Sequence, residues 1–249
     1  GVPLLSAVGW RWAWLLLALL SLLAAVSLSR WVTPDAQALP SGLAARPAAT
    51  LLGPRLKRTL RAPGPWWVAL AFFLYSGQWL AVVGFLPTVY HQAGYTGAAV
   101  ALLSAVAAGV NMAGNIGAGW WLARGARPGT VLALAYGAMG AGAGVAFGAQ
   151  GHPVLQYLAV LVFSGVGGLI PGTLFGLAVK LAPDDDTVST TVGWMQQFSA
   201  LGQFLGPPLV AWVATLAGGW HWTWIVTGVS SALGLLLAGR LQAAWRARP

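Results

Sequence analysis

Seven stretches of mostly apolar residues, at about 12–32, 65–90, 98–123, 130–149, 153–180, 188–217 and 221–240, dominate the 249-residue chain. Each is close to or beyond the ~20 residues that a helix needs to cross the hydrocarbon core of a bilayer. They predict an all-α polytopic membrane protein. Only 7% of the residues are charged, against ~25% in an ordinary soluble domain. That excludes a soluble enzyme, a disordered chain and a soluble nucleic-acid binder. Each stretch is closed by proline, glycine or charge, and Pro65 and Pro153 stand where a first helical turn accepts proline. Residues 1–8 read as the tail of a further span. With no cysteine there is neither a disulfide nor a thiolate metal site.

The net charge of +9 follows from topology and needs no anionic partner. Residues 33–64 form the one long stretch that is not apolar. It holds Pro34, Pro40, Pro47, Pro54 and Pro63 and reads as a linker with a short surface helix near Leu51–Leu60. With its leading edge it carries Arg30, Arg46, Arg55, Lys57, Arg58 and Arg61 against Asp35. Basic residues favour the cytoplasmic side, which predicts a cytoplasmic linker. Alternation then puts Arg124, Arg127, Lys180, Arg240, Arg246 and Arg248 on the same side, with the C-terminus, and leaves only Arg11 outside. Trp31, Trp66, Trp67, Trp120, Trp121 and Trp245 fall at inner ends, and Trp10, Trp12, Trp14, Trp220, Trp222 and Trp224 at outer ends, as interfacial indoles do. Arg11 with Ala13–Ser29 also fits a signal peptide, but that would place the basic linker outside.

The chain repeats itself. Gly1-Val2-Pro3-Leu4 is echoed 205 residues later by Gly206-Pro207-Pro208-Leu209. Gly9-Trp10-Arg11-Trp12-Ala13-Trp14 is echoed 210 residues later by Gly219-Trp220-His221-Trp222-Thr223-Trp224. Five spans separate the two copies, so the unit has six spans and the copies run in parallel, the signature of secondary transporters.

At these residues the sequence resembles the major facilitator superfamily. The Gly9–Trp14 junction resembles the family's turn between helices five and six. Gly84-Phe85-Leu86-Pro87-Thr88-Val89-Tyr90 resembles the outer end of helix seven. Gly119-Trp120-Trp121-Leu122-Ala123-Arg124-Gly125-Ala126-Arg127 resembles the G-x-x-x-D-R-x-G-R loop between helices eight and nine, with Ala123 for the acid and Ala126 for the glycine. The resemblance implies a complete six-helix C-terminal half at 65–249, a linker at 33–64, and helix six with the tail of helix five at 1–32. The missing N-terminal half would make a full chain of about 390–400 residues.

No Asp, Glu, Lys or Arg lies deep in a complete span, so a proton relay is not expected in this half. The candidate substrate-binding residues are uncharged. Gln78, Asn111 and Gln203 lie near the midpoints of three spans, where transporters place their sites. Asn115 is one turn from Asn111; Gln196, Ser199 and Gln203 form one polar stripe; Tyr75 and Trp79 flank Gln78 and offer faces for stacking. The expectation is that Gln78, Asn111 and Gln203 converge on one cavity and bind a neutral or weakly anionic group. The competing reading is interhelical adhesion, worth ~0.6–2 kcal/mol per bond. In the family, helices seven, eight, ten and eleven line the cavity, and the amides fall on such helices. Small residues recur every fourth position at Ala105, Gly109, Ala113 and Gly117, at Gly140, Gly144 and Gly148, at Gly168, Gly172 and Gly176, and at Gly202 and Gly206, predicting close helix packing. Pro87, Pro171, Pro207 and Pro208 predict bends. His91, His152 and His221 at outer connections do not have the spacing of a metal site, and no cofactor is expected.

The expected function is a secondary active transporter of a small organic solute working by alternating access in a bacterial inner membrane, with a proton as candidate coupling ion. A multidrug antiporter of the same superfamily is the first alternative. Its branches end helix five in a G-P-x-x-G-G-like motif, whereas Val2-Pro3-Leu4-Leu5-Ser6-Ala7 lacks all three glycines, which favours a metabolite or small-anion carrier. A seven-helix receptor is the alternative from another class, and it would not need a six-span repeat. An intramembrane enzyme would need embedded acids, a Ser–His dyad or metal ligands.

Overall fold

The computed structural model describes residues 10–31 and 48–247. The described residues are helical throughout apart from short turns, and seven helical stretches are long and apolar enough to cross a membrane. In chain order the helices are α1 Trp10–Trp31, α2 Ala48–Arg61, α3 Pro63–Gln92, α4 Gly97–Ala123, α5 Pro128–Gly148, α6 Pro153–Gly167, α7 Leu169–Leu181, α8 Val188–Leu216 and α9 Thr223–Arg246. Short 3₁₀ turns at Asp185–Thr187 and Trp220–Trp222 precede α8 and α9. The span read at 153–180 is one stretch, Pro153–Leu181, in which α6 and α7 join at Gly168; that glycine keeps helical dihedrals, φ −58° and ψ −19°, and its N–H still bonds the Ser164 carbonyl at 3.0 Å. Pro171 marks the junction, since it has no N–H to donate to the carbonyl of Gly167. Pro87 in α3 and Pro207 and Pro208 in α8 lie within unbroken helices.

Proline at the first helical position opens α3, α5 and α6, where an N–H would be unpaired anyway. The turn after α4 needs a glycine. Gly125 takes φ 86°, and its N–H and that of Ala126 close the helix onto Leu122 and Trp121, each at 3.0 Å. The left-handed residue thus sits one place before Ala126, the position where the resembling motif carries its own glycine.

α3 runs through the bundle and touches α4, α7, α8 and α9. Its seam with α8 is built of backbone. A Cβ on Gly202 would fall on the carbonyl of Phe73, and one on Gly206 would fall on that of Gly77. α4 crosses the α6–α7 junction in the same way, Gly114 against Gly165 and Gly168, and Gly172 against Asn115. The stripe of Ala105, Gly109, Ala113 and Gly117 does not make this contact. Ala105, Gly109 and Ala113 are exposed, because α4 packs through the face carrying Ala107, Gly114 and Ala118. Gly144 and Gly148 likewise meet nothing within 4 Å.

The core lies where α3, α5, α6 and α7 meet, around Leu132, Tyr136, Met139, Phe163, Ile170 and Leu174. Tyr136 joins three helices: its ring covers Gly234 of α9, and its hydroxyl donates to the Ala71 carbonyl of α3 at 2.6 Å. Every described side chain of α1 is exposed. Alternation of the spans collects Arg55, Lys57, Arg58, Arg61, Arg124, Arg127, Lys180, Arg240 and Arg246 at one end of the bundle. Three of these lie over indoles: Arg124 3.4 Å from the Trp120 ring, Lys180 5.1 Å from Trp245, and Arg240 6.0 Å from Trp67.

Candidate functional site

Four of the seven predicted residues meet around one serine. Asn111 of α4 donates from Nδ2 to the Ser164 carbonyl of α6 at 2.8 Å, and the Trp79 indole of α3 donates to Ser164 Oγ at 3.0 Å. Tyr75, one turn before Trp79, bonds Asn111 through its hydroxyl, and Asn115 donates to Asn111 Oδ1 at 3.1 Å. The Ser164 carbonyl also accepts the N–H of Gly168, so the cluster sits on the helical turn that joins α6 to α7. No charge enters the cluster. Its members offer amides, a phenol, an indole and a hydroxyl, groups suited to a solute recognised by hydrogen bonds and ring contact. Asn111, Asn115 and Trp79 are each half-buried, and Tyr75 is buried.

Gln78 does not join them. It is 2% exposed and faces α9, where Ser231 Oγ donates to its Oε1 at 3.1 Å. The cause is rotation. At about 100° per residue Gln78 lies some 60° from Tyr75 and 100° from Trp79 on α3. Gln78 edges a void of about 60 Å³ between α3, α8 and α9, and its Nε2 has no protein partner. Gln78 therefore does not meet Asn111 as expected: its amide bonds α9, while that of Asn111 bonds α6.

Gln196 and Gln203 are both exposed on α8. Gln203 reaches its own helix, donating to Ser199 Oγ at 3.2 Å, while Ser199 is buried and its carbonyl accepts from Ser76 of α3 at 2.9 Å. α3 packs against both α8 and α4; Gln203 bonds within α8, whereas Asn111 bonds α3 and α6. An exposed glutamine in lipid is costly, which marks this edge of α8 as a face turned from lipid.

Ser164 is the residue that sequence reasoning missed. Its signal was present: a hydroxyl standing alone in an apolar run just ahead of Gly165, Gly167, Gly168 and Pro171. A second feature without a sequence forecast is a cavity of about 280 Å³ at the end of the bundle away from the basic residues. Leu86, Tyr90, Tyr95, Phe147 and Tyr157 line it, with the Tyr90 ring 6.2 Å from Tyr95 and 6.4 Å from Tyr157.

The fold has relatives of known structure. FucP, a Major Facilitator Superfamily transporter in its outward conformation, matches with a TM-score of 0.75 at 20% identity over 94% of this chain and 55% of its own. An alanine variant of the E. coli fucose:proton symporter FucP matches with a TM-score of 0.72 at 18% identity, over 90% of this chain and 54% of its own. The chain thus spans about half the length of these structures. A search of curated proteins finds no match. The family model for the Major Facilitator Superfamily matches residues 2–195. That match covers most of the apolar spans and the whole Tyr75–Asn111–Ser164 cluster, and the chain belongs to the Major Facilitator Superfamily.

Proposed function

We propose that this chain provides the C-terminal six-helix half of a secondary active transporter. In this reading it moves a small neutral or weakly anionic organic solute by alternating access. Asn111, Asn115, Tyr75 and Trp79 are its substrate-facing groups, with Gln196 and Gln203 on α8. The observation that carries the reading is the uncharged cluster of Tyr75, Trp79, Asn111, Asn115 and Ser164, which ties α3, α4 and α6 together mid-span. Transporters place substrate sites near the middle of the membrane. Gln78 is assigned to packing. The basic end is the cytoplasmic side, since twelve of the thirteen Lys and Arg obey one topology. A proton is the candidate coupling ion; FucP is described as a fucose:proton symporter. The complete spans of this half carry no embedded charge, so coupling groups, if the transporter has them, would lie in the other half.

The test is tracer uptake by the full-length protein in proteoliposomes, across neutral sugars, small organic anions and lipophilic cationic dyes. Saturable uptake of a neutral or anionic solute, weakened by Asn111→Ala, supports the proposal. Export of cationic dyes alone overturns it in favour of a multidrug antiporter.

A further inference from the structure

α2 is a surface helix with two faces. It contains Arg55, Lys57, Arg58 and Arg61 and no acid. Leu52 and Leu56, one turn apart, share a face and are 58% and 39% exposed. The helix is nevertheless held firmly. Arg58 Nη1 lies 2.7 Å from Asp184 Oδ2, Arg55 lies 3.6 Å from Asp186, and the buried Thr59 hydroxyl is 2.6 Å from that of Thr190. The other side of the helix leaves Lys57 and Arg61 exposed, four residues apart. Its depth is fixed as well. Trp66, in the first turn of α3, donates its indole N–H to the Leu60 carbonyl at 2.9 Å. Paired tryptophans at a span's start sit at the membrane–water interface, so this bond pins the last turn of α2 at that level.

We propose that α2 lies on the surface of an anionic lipid leaflet, with Leu52 and Leu56 in the boundary between headgroups and acyl chains and Lys57 and Arg61 on the polar side of the helix, drawn to the surface by its charge. A short amphipathic helix with a basic polar face, held at interfacial depth, has the form of an in-plane anchor. Basic residues are attracted to an anionic surface, which selects an anionic leaflet over a zwitterionic one. Arg55 and Arg58 contribute differently: their ion pairs fix the helix to the turn before α8, so the lipid contact is made by the same body that carries the cluster around Ser164. The inference rests on the reading of the basic end as cytoplasmic, the side with the anionic leaflet. Its test uses vesicles of one lipid composition on both faces, so failure of the lipid contact is separate from failure of that topology or of transport.

The experiment places a nitroxide at Leu56→Cys in the full-length protein on a cysteine-free background. Collision with oxygen reports lipid, and collision with a water-soluble nickel chelate reports water. In phosphatidylglycerol-rich vesicles the label should be rich in oxygen contact and protected from nickel. In pure phosphatidylcholine, or with Lys57→Glu and Arg61→Glu together, nickel access should rise several-fold. Protection from both reagents in every vesicle would show that protein covers this face and overturn the proposal. The same lipid contact in both vesicle types would overturn the anionic requirement, and nickel access everywhere would overturn the docking. The two charge reversals lie on exposed positions outside the ion pairs, so a folded protein is expected throughout.

Discussion

The hydroxyl of Tyr75 and the amide of Asn111 bond each other twice over: the phenol donates to Oδ1 at 3.1 Å and accepts from Nδ2 at 2.9 Å. The two residues belong to α3 and α4, thirty-six positions apart. If the proposed site is right, a substrate would compete for groups already engaged, and binding would exchange these bonds for new ones. A solute with hydroxyl or carbonyl groups can do so without leaving a buried amide unpaired.

Asn111→Ala in the full-length transporter should raise the apparent KM about tenfold or more, or abolish uptake, since an unpaired buried polar group costs ~1–3 kcal/mol. Tyr75→Phe should have a smaller effect in the same direction. Surface expression near the parent level is part of the expectation. Unchanged kinetics for Asn111→Ala would remove the cluster from the substrate's path.

Gln78 should behave in the opposite way. Gln78→Ala removes the bond to Ser231 between α3 and α9. The loss of ~0.6–2 kcal/mol should lower the thermal midpoint in detergent by about 2–6 °C with KM unchanged. Ser231→Ala should show a similar shift, and the double variant little more than either single one. A large KM change with normal stability would return Gln78 to the binding site.

Glycine substitutions should divide sharply by position. Gly206→Leu places a side chain onto the Gly77 carbonyl, and Gly114→Leu places one onto that of Gly165. Both should abolish monodisperse expression in fluorescence-detected size exclusion. A Cβ added at Gly109 meets nothing within 4 Å, so Gly109→Leu should elute as the parent does.

For topology, single cysteines at Ala247 and at Tyr95 report opposite ends of the bundle. Ala247→Cys in intact cells should resist an impermeant thiol reagent, while Tyr95→Cys should label readily. Labelling of Ala247→Cys before permeabilisation would invert the orientation. A cysteine at Ser41 should resemble Ala247→Cys, although Ser41 lies outside the described residues.

What the sequence conveyed was depth, and what it withheld was direction. Counting residues from Pro65 or from Gly97 places Gln78 and Asn111 at mid-span, because rise per residue is constant. Which way each amide turns depends on the neighbouring helix. α9 offers Ser231 to Gln78 and α6 offers Ser164 to Asn111. Small-residue stripes mislead for the same reason: Gly109 and Gly114 are equally small, and only packing decides that α6 and α7 lie over Gly114. The surface helix was legible near Leu51–Leu60, in agreement with Ala48–Arg61. Its anchorage to Asp184 and Asp186 was not, since those acids are more than a hundred residues away and also read as a helix N-terminal charge.

The backbone seam between α3 and α8 has a mechanical meaning. Where Gly77 meets Gly206 and Phe73 meets Gly202 the two backbones approach directly, and the side chain that reaches across beside them is the small Ser76, whose hydroxyl is held on the Ser199 carbonyl. A displacement of one helix therefore finds little rotamer freedom at the crossing to absorb it. On the proposed reading the two helices would tilt as one lever, from the neighbourhood of Trp79 to the end of α8 next to Asp184, which Arg58 holds.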